Sequence, residues 1–502
     1  MKDVKFLYTS EQIKRSEQKI AEHYRFPLYD LMLKAGQAVF EYCQARFPNA
    51  EHWLVVCGKG NNGGDGYVVA DLARSRGFTV SLVELESCTD NQGDAAKARQ
   101  HYISRWGVPQ LATNELDLAV QPDVVIDALL GTGLSGKVRS DYAEIIHHIN
   151  AMAAPVVAVD LPSGLNADTG QAMGTAVRAS ATVSFIGVKC GLVTGEARHY
   201  CGELHFAPLD IATQTLHQFE PSNIQVISDE SLSGFTRQRS AIAHKGSHGR
   251  LLIVGGAAGM LGAVRLASGA ALRVGAGLVK ACVDVQSMPA LQAGQAELMA
   301  SDWEQCSQQQ LAWADSLVLG PGLGQCAKAD SVCKSVFEHQ FKANCAGIVV
   351  DADGLNYLAK HPSTHGHWVL TPHPGEAARL LNCSIQEVER DRYAAVAALW
   401  QRYRGIIVLK GAGTLICDGH TTWVCTQGNP GMATGGMGDV LAGLIGAFIA
   451  QGYSLGQATL LGVYIHSLSA DVCAEQSGEI GLLASDLIPE LRKVINHLAN
   501  LH

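Results

Sequence analysis

Short β-branched runs that break abruptly into glycine turns recur along the chain. The clearest are HWLVVCGKGNNGGDGYVVADLARSRG, from His52, and GRLLIVGGAAGMLGAVRLASGAALRVGAG, from Gly249. In each, the apolar run reads as a strand and the glycines as a turn, and a helix-like spacing follows. Two such starts far apart predict two nucleotide-binding-type α/β domains. FTVSLVEL, DVVIDALLG, PVVAVDLPSG and ATVSFIG add strands to the first half. GLVKACVDV, SLVLGPGLG, GIVVDADGL, HWVLTPHPGE and GIIVLKGAGTLICDG add strands to the second. Most end in a turn carrying Gly, Asp or Pro, as in a parallel sheet whose ligands gather at the strands' carboxyl ends. The polar stretch QTLHQFEPSNIQVISDESLSGFTRQRSAIAHKGSHG lies between the halves. A boundary near Glu220 to Glu230 follows, giving domains of residues 1–222 and 223–502. No short-period repeat or low-complexity tract interrupts them.

Composition narrows the picture. A chain of 502 residues, 47% apolar and 17% charged, can bury large cores. A net charge of −9 argues against a nucleic-acid-binding surface. Anionic small ligands stay open, because backbone amides hold phosphate without lysine. The 14 cysteines form no Cys-x-x-Cys pair and several sit in apolar runs, which reads as buried free thiols in a reducing compartment. The amino terminus is polar, and the longest apolar stretch, Leu441 to Ala450, is too short to span a bilayer. A soluble cytoplasmic protein is expected.

GKGNNG, at Gly58 to Gly63, satisfies G-x-G-x-x-G after a strand, and Glu84 stands where a Rossmann acidic residue would. Asp65, read as lying at the helix entrance, would repel a pyrophosphate. The loop is therefore expected to bind polar groups or a cation, with a capping role for Asp65 as the blander alternative. Asp127, Asp160 and Ser163 stand at two further strand ends. Their oxygens, with those of the Asn61–Asn62 turn, suit a hard cation of low charge demand, such as potassium.

GNNGGDGYVVADLA, DALLGTGLSGKVR and VDLPSGLNADTG together resemble the YjeF N-terminal family of NAD(P)H-hydrate epimerases, over roughly Tyr8 to Asp210. The resemblance implies a three-layer Rossmann-like α/β/α fold and a potassium ion on Asn62, Asp127 and Ser163. It implies hydrate contacts at Asn61, Asn62, Gly63, Gly64 and Asp65, and at Tyr142 and Asp160. The loop Gly131, Thr132, Gly133, Leu134, Ser135, Gly136 and Lys137 is implied too. The reaction inverts C6 of the hydrated nicotinamide ring. Asp160 is the expected acid/base group, with Asp65 in reserve.

In the second half, NPGMATGGMGD at Asn429 to Asp439 opens an apolar helix. Backbone amides at such a start form an anion hole, and Asp439 could face a reacting hydroxyl or merely cap the helix. Lys410, in KGAGT, reads as a charge neutraliser or a solvated strand-end lysine, and Thr414 as a phosphate contact. His373 sits between two prolines in TPHPGE, equally a ligand contact or structural. Neither half holds a Walker A sequence or zinc-type Cys/His spacing. HKGSHG, GPGLG, DADGL, TPHPGE, KGAGT and NPGMATGGMGDVLAG resemble, in order, the YjeF C-terminal or carbohydrate-kinase-like family, from about Ile227 onward. That family is ribokinase-like, and Ala257 stands where its first loop commonly has Ser. The implied activity is dehydration of the S hydrate driven by ADP or ATP with Mg²⁺. Ala263, Gly324, His373 and Asp439 are the implied hydrate contacts. Lys410, Gly411, Ala412, Gly413, Thr414 and Gly438 are the implied nucleotide contacts, and Asp439 the general base. A vitamin or sugar kinase with an accessory domain, or a nucleotide sensor, is the competing reading. A homo-oligomer, with a tetramer among the options, is the expected assembly.

Overall fold

The computed structural model describes residues 4–112, 121–232, 234–235, 239–303, 308–340 and 345–500. The chain divides into two compact units, Met1–Gln225 and Val226–His502.

The strands of the first unit are β1 (Phe6–Leu7), β2 (His52–Cys57), β3 (Thr79–Glu84), β4 (Gln110–Leu111), β5 (Val124–Ala128), β6 (Val156–Val159), β7 (Ala181–Phe185), β8 (Glu203–Ala207) and β9 (Ile224–Val226). Seven of them form a parallel sheet in the order β4-β3-β2-β5-β6-β7-β8. Trp53, Val55 and Cys57 of β2 face one core with Tyr67 and Phe40, whereas Leu54 and Val56 face another with Tyr142 and Ile145. The two-residue alternation of a strand thus feeds a core on each side, giving three layers. Because both faces are covered, β2 is apolar along nearly its whole length. The chain leaves β2 for β3 on one side and later returns to β5 on the other. The loops after β2 and β5 therefore splay apart at a topological switch point, where ligands bind in such sheets.

The second unit contains β10 (Arg250–Val254), β11 (Leu278–Val283), β12 (Met299–Asp302), β13 (Ser316–Leu319), β14 (Ile348–Val350), β15 (Trp368–Leu370), β16 (Ile406–Leu409), β17 (Thr414–Cys417) and β18 (Thr422–Cys425). They run β18-β17-β16-β15-β14-β13-β10-β11-β12. Strands from β12 to β16 are parallel, but β16, β17 and β18 are antiparallel. The parallel arrangement expected of such strands stops at GIIVLKGAGTLICDG, whose glycines join two antiparallel strands. The switch point falls between β10 and β13, whose loops are tied by Gly256 N to Pro321 O (2.9 Å) and Ala257 N to Gly322 O (2.7 Å). Helix Met437–Ala450 is buried all along Val440–Ala450, which is why that stretch is apolar on every side. No helix among the described residues is long and apolar enough to cross a membrane. The described cysteines are all free and most are buried.

Candidate active sites

In the first unit the loop after β2 turns so tightly that a Cβ on Gly63 would lie 1.9 Å from Gly58 O. Helix Asn61–Ser75 starts at once, with Gly60 as its cap residue and no side-chain cap. Asp65 is therefore a full turn inside the helix, neither at its entrance nor capping it. Burial pushes its carboxyl well above the usual range, with Asp160 and Glu17 adding to the effect and Lys189 opposing it.

Asp160 follows β6 in the left-handed region, at φ 66°, uncommon for a residue with a side chain. Its Oδ1 accepts from Phe185 N (3.2 Å), Ser184 Oγ (3.3 Å) and Lys189 Nζ. Lys189 is 1% exposed.

Adjacent strands β2, β5 and β6 bring Asn62, Asp127 and Ser163 together. Ser163 Oγ donates to Asp127 Oδ1 (2.5 Å) and Ser163 N to Asp127 Oδ2 (2.8 Å). Leu130 N donates to Ser163 Oγ at 2.8 Å. The next residue, Gly131, packs on Asn62, whose Oδ1 would lie 3.7 Å from a Cβ there. Burial raises the Asp127 carboxyl to about 6, opposed only by hydrogen bonds from Ser163 and Leu129. Asn62 Nδ2 is buried without a partner. A buried carboxylate answered by no charged group, beside hydroxyl and amide oxygens, fits a monovalent cation. In the Gly131–Lys137 loop, Gly133, Ser135, Gly136 and Lys137 are exposed, whereas Thr132 and Leu134 are half-buried. Tyr142 is buried, with its hydroxyl 3.3 Å from Ser87 Oγ.

Glu84 is a correction. It is fully buried, takes two bonds from Arg99 (2.6 and 2.8 Å) and one from Tyr67, and so is spent inside the fold instead of reading a ribose.

In the second unit Asp471 shapes the NPG turn, accepting from Gly428 N (2.8 Å) and Asn429 Nδ2 (2.9 Å). Gly436 caps helix Met437–Ala450, which makes Asp439 its third residue and not its cap. Burial lifts the Asp439 carboxyl to about 7, with Asp351 adding to the effect and Lys410 opposing it. Lys410 is no solvated lysine: its Nζ lies 2.8 Å from Asp351 Oδ1 and 3.7 Å from Glu376 Oε2, with the side chain 19% exposed. Burial acts to lower the Lys410 pKa, but Asp351 and Glu376 outweigh it and leave it raised. A Cβ on Gly438 would come 3.1 Å from Lys410 Nζ.

His373 caps helix Pro374–Leu381, its Nδ1 accepting from Gly375 N (3.0 Å) and its Nε2 lying 3.6 Å from Glu376 Oε1. Burial, then Lys410, hold its pKa down. Gly324 N donates to Asp353 Oδ2 at 2.8 Å. Ala263, on helix Leu261–Arg273, lies beside Gly322 of the same loop. Thr414 Oγ1 donates to Gly411 O at 3.0 Å, closing the Gly411–Thr414 turn.

A family model of NAD(P)H-hydrate dehydratases matches residues 251–493, and one of the YjeF-related protein N-terminus matches residues 28–191. Over 491 residues the chain is 44% identical to the bifunctional NAD(P)H-hydrate repair enzyme Nnr of Vibrio cholerae, covering 97% of this chain and 98% of that one. The chain belongs to this family. The Escherichia coli enzyme of the same name is 42% identical, covering 98% of this chain and 94% of its own. A ribokinase-like superfamily protein from Enterococcus faecalis superposes with a TM-score of 0.51 at 29% identity, covering 55% of this chain and 97% of its own.

For a hydrate-repair family member, several polar groups escaped the sequence reading. Asp351 and Glu376 lay within the quoted DADGL and TPHPGE motifs but were given no role. Lys189 is a single lysine in the apolar run FIGVKCGLV, and its isolation was the available signal. Arg392, 1% exposed, ties the KGAGT turn by donating to Lys410 O (3.1 Å) and Leu409 O (3.3 Å). His466 is buried, its Nε2 unpartnered and its pKa lowered to about 4 by burial and then Lys410. Nothing in the local sequence marks either of these two.

Proposed function

We infer that this chain restores hydrated NADH and NADPH, its first unit interconverting the R and S hydrates at C6 and its second dehydrating the S form at the expense of ADP or ATP. The similarity spans both units, which disfavours a kinase with an accessory domain and a pure sensor. The observation that carries the reading is Asp439: a half-buried carboxyl in the first turn of a helix opened by glycines, raised to about 7. A base tuned near neutrality beside an anion hole suits a hydroxyl attacking a phosphoryl group.

In the dehydratase step the C6 hydroxyl oxygen attacks the terminal phosphorus while Asp439 takes the hydroxyl proton. The nucleotide leaves one phosphate shorter. The ring nitrogen's lone pair then expels phosphate with the C6–O electrons, and loss of a C5 proton restores the ring double bond. Amides of Gly435–Gly438 stabilise the developing charge. The KGAGT turn and Gly438 hold the nucleotide. Lys410 Nζ is engaged by Asp351, its backbone N by Pro372 O and its backbone O by Arg392, so the lysine anchors the turn that holds the nucleotide. Ala263, Gly324, His373 and Asp439 bound the hydrate.

No three His, Cys, Asp or Glu residues among those described are grouped to hold a metal. The carboxylates near Asp439 suit Mg²⁺, which binds through one or two carboxylates and the substrate's phosphates. When bound, it would neutralise phosphate charge.

In the epimerase unit Asn62, Asp127 and Ser163 hold potassium, and Asn61–Asp65, Gly131–Lys137 and Tyr142 contact the hydrate. Asp160 carries the proton that leaves and returns as C6 opens and recloses. Free thiols support a reducing, cytoplasmic setting, and a homo-oligomer is the proposed assembly.

The test is recovery of dihydronicotinamide absorbance from mixed R and S hydrates with potassium, Mg²⁺ and ADP or ATP. Full recovery is expected. Recovery of the S fraction alone removes the epimerase assignment, and none with either nucleotide removes the dehydratase assignment. Asp439→Asn is expected to lose dehydration but keep nucleotide binding.

A further inference from the structure

The segment before residue 28 lies outside the family-model match, yet it is built into the first unit's site. Tyr8 N donates to Val188 O (3.0 Å) and Cys190 N to Tyr8 O (2.9 Å), so Tyr8 brackets Lys189 from both sides. Ser10 reaches across with N and Oγ donating to Asp168 Oδ1 and Oδ2 (2.6 and 2.9 Å). A Cβ on Gly187 would fall 2.8 Å from Tyr8 Cδ2 and from Ile13 Cδ1, so only glycine lets the segment pack this closely. Helix Ser10–Tyr24 buries Ile13, Ser16, Ile20 and Ala21, and Glu17 lies half-buried on that same side.

We propose that the segment beginning at Tyr8 is a working part of the epimerase site: Tyr8 clamps Lys189, and Lys189 is the positioning residue that orients Asp160. This rests on Asp160 being the acid/base group. Lys189 Nζ reaches Asp160 Oδ1, Ser184 Oγ (3.4 Å) and Phe185 O (3.2 Å), a fixed tripod of acceptors. An ammonium held this way fixes which carboxylate oxygen stays free for a proton.

The experiment measures R-to-S conversion, by chromatographic separation of the hydrates, for the parent, Lys189→Met and Lys189→Arg. Lys189→Met should lower kcat about a hundredfold with KM little changed, since a misplaced acid/base group costs that much. Lys189→Arg should recover part of the loss. A Lys189→Met enzyme with parental kcat overturns the proposal. A parent that converts neither hydrate overturns the epimerase reading beneath it.

Discussion

Lys410→Met removes the cation common to three carboxyl groups. Nζ lies 2.8 Å from Asp351 Oδ1 and 3.7 Å from Glu376 Oε2, and it opposes the raised pKa of Asp439. Deleting one partner of a buried ion pair costs about 3–5 kcal/mol, since the other charge stays uncompensated. Methionine keeps an unbranched stem only one atom shorter, so most of the loss is electrostatic. Its pH dependence has a definite direction. Glu376 and Asp439 are already raised to about 7, above their unfolded values near 4. The folded state thus binds their protons more tightly, and this pair costs the parent stability as pH climbs from about 4 to about 7. Without Lys410 both carboxyls rise further, and the loss continues above pH 7. Thermal unfolding of parent and variant at pH 6 and pH 8 should show the larger deficit at pH 8. The acidic limb of the dehydration rate should move up by about one unit, equivalent to about 1.4 kcal/mol. Equal deficits at the two pH values, with an unmoved limb, would refute the electrostatic reasoning.

Gly63→Ala puts a methyl 1.9 Å from Gly58 O. A cost of about 1–3 kcal/mol and slowed epimerisation with intact dehydration are expected, read by melting temperature and the two separate rates. Glu84→Gln breaks the buried pair with Arg99, so stability should fall by about 3–5 kcal/mol while preference between NADH and NADPH hydrates stays unchanged. Competition between the two hydrates tests this, and a changed preference would return Glu84 to a cofactor-reading role. Exchanging potassium for a bulky organic cation should slow R-to-S conversion and leave S-hydrate dehydration unaffected. Equal slowing of both would place the potassium requirement elsewhere.

Much of the architecture was legible in the chain. Apolar runs ending in Gly, Asp or Pro gave the strand positions, because a strand buried on both faces must be apolar throughout and its turn must then reverse sharply. That pattern marks residues at strand ends, and so it placed Asp127, Asp160 and Ser163 at or just after β5 and β6. It could not tell Lys410 in solvent from Lys410 buried against Asp351, because those residues lie 59 positions apart. Nor could it foresee that Arg99 and Tyr67 would consume Glu84, or that Lys189, in the turn after β7, would pair with Asp160. The antiparallel run β16-β17-β18 likewise depends on which edges meet. Local sequence determines where strands, turns and helices begin, since those follow from steric and burial preferences of neighbouring residues. Only the folded chain decides which charges share a buried space, because that depends on contacts between segments the sequence holds far apart.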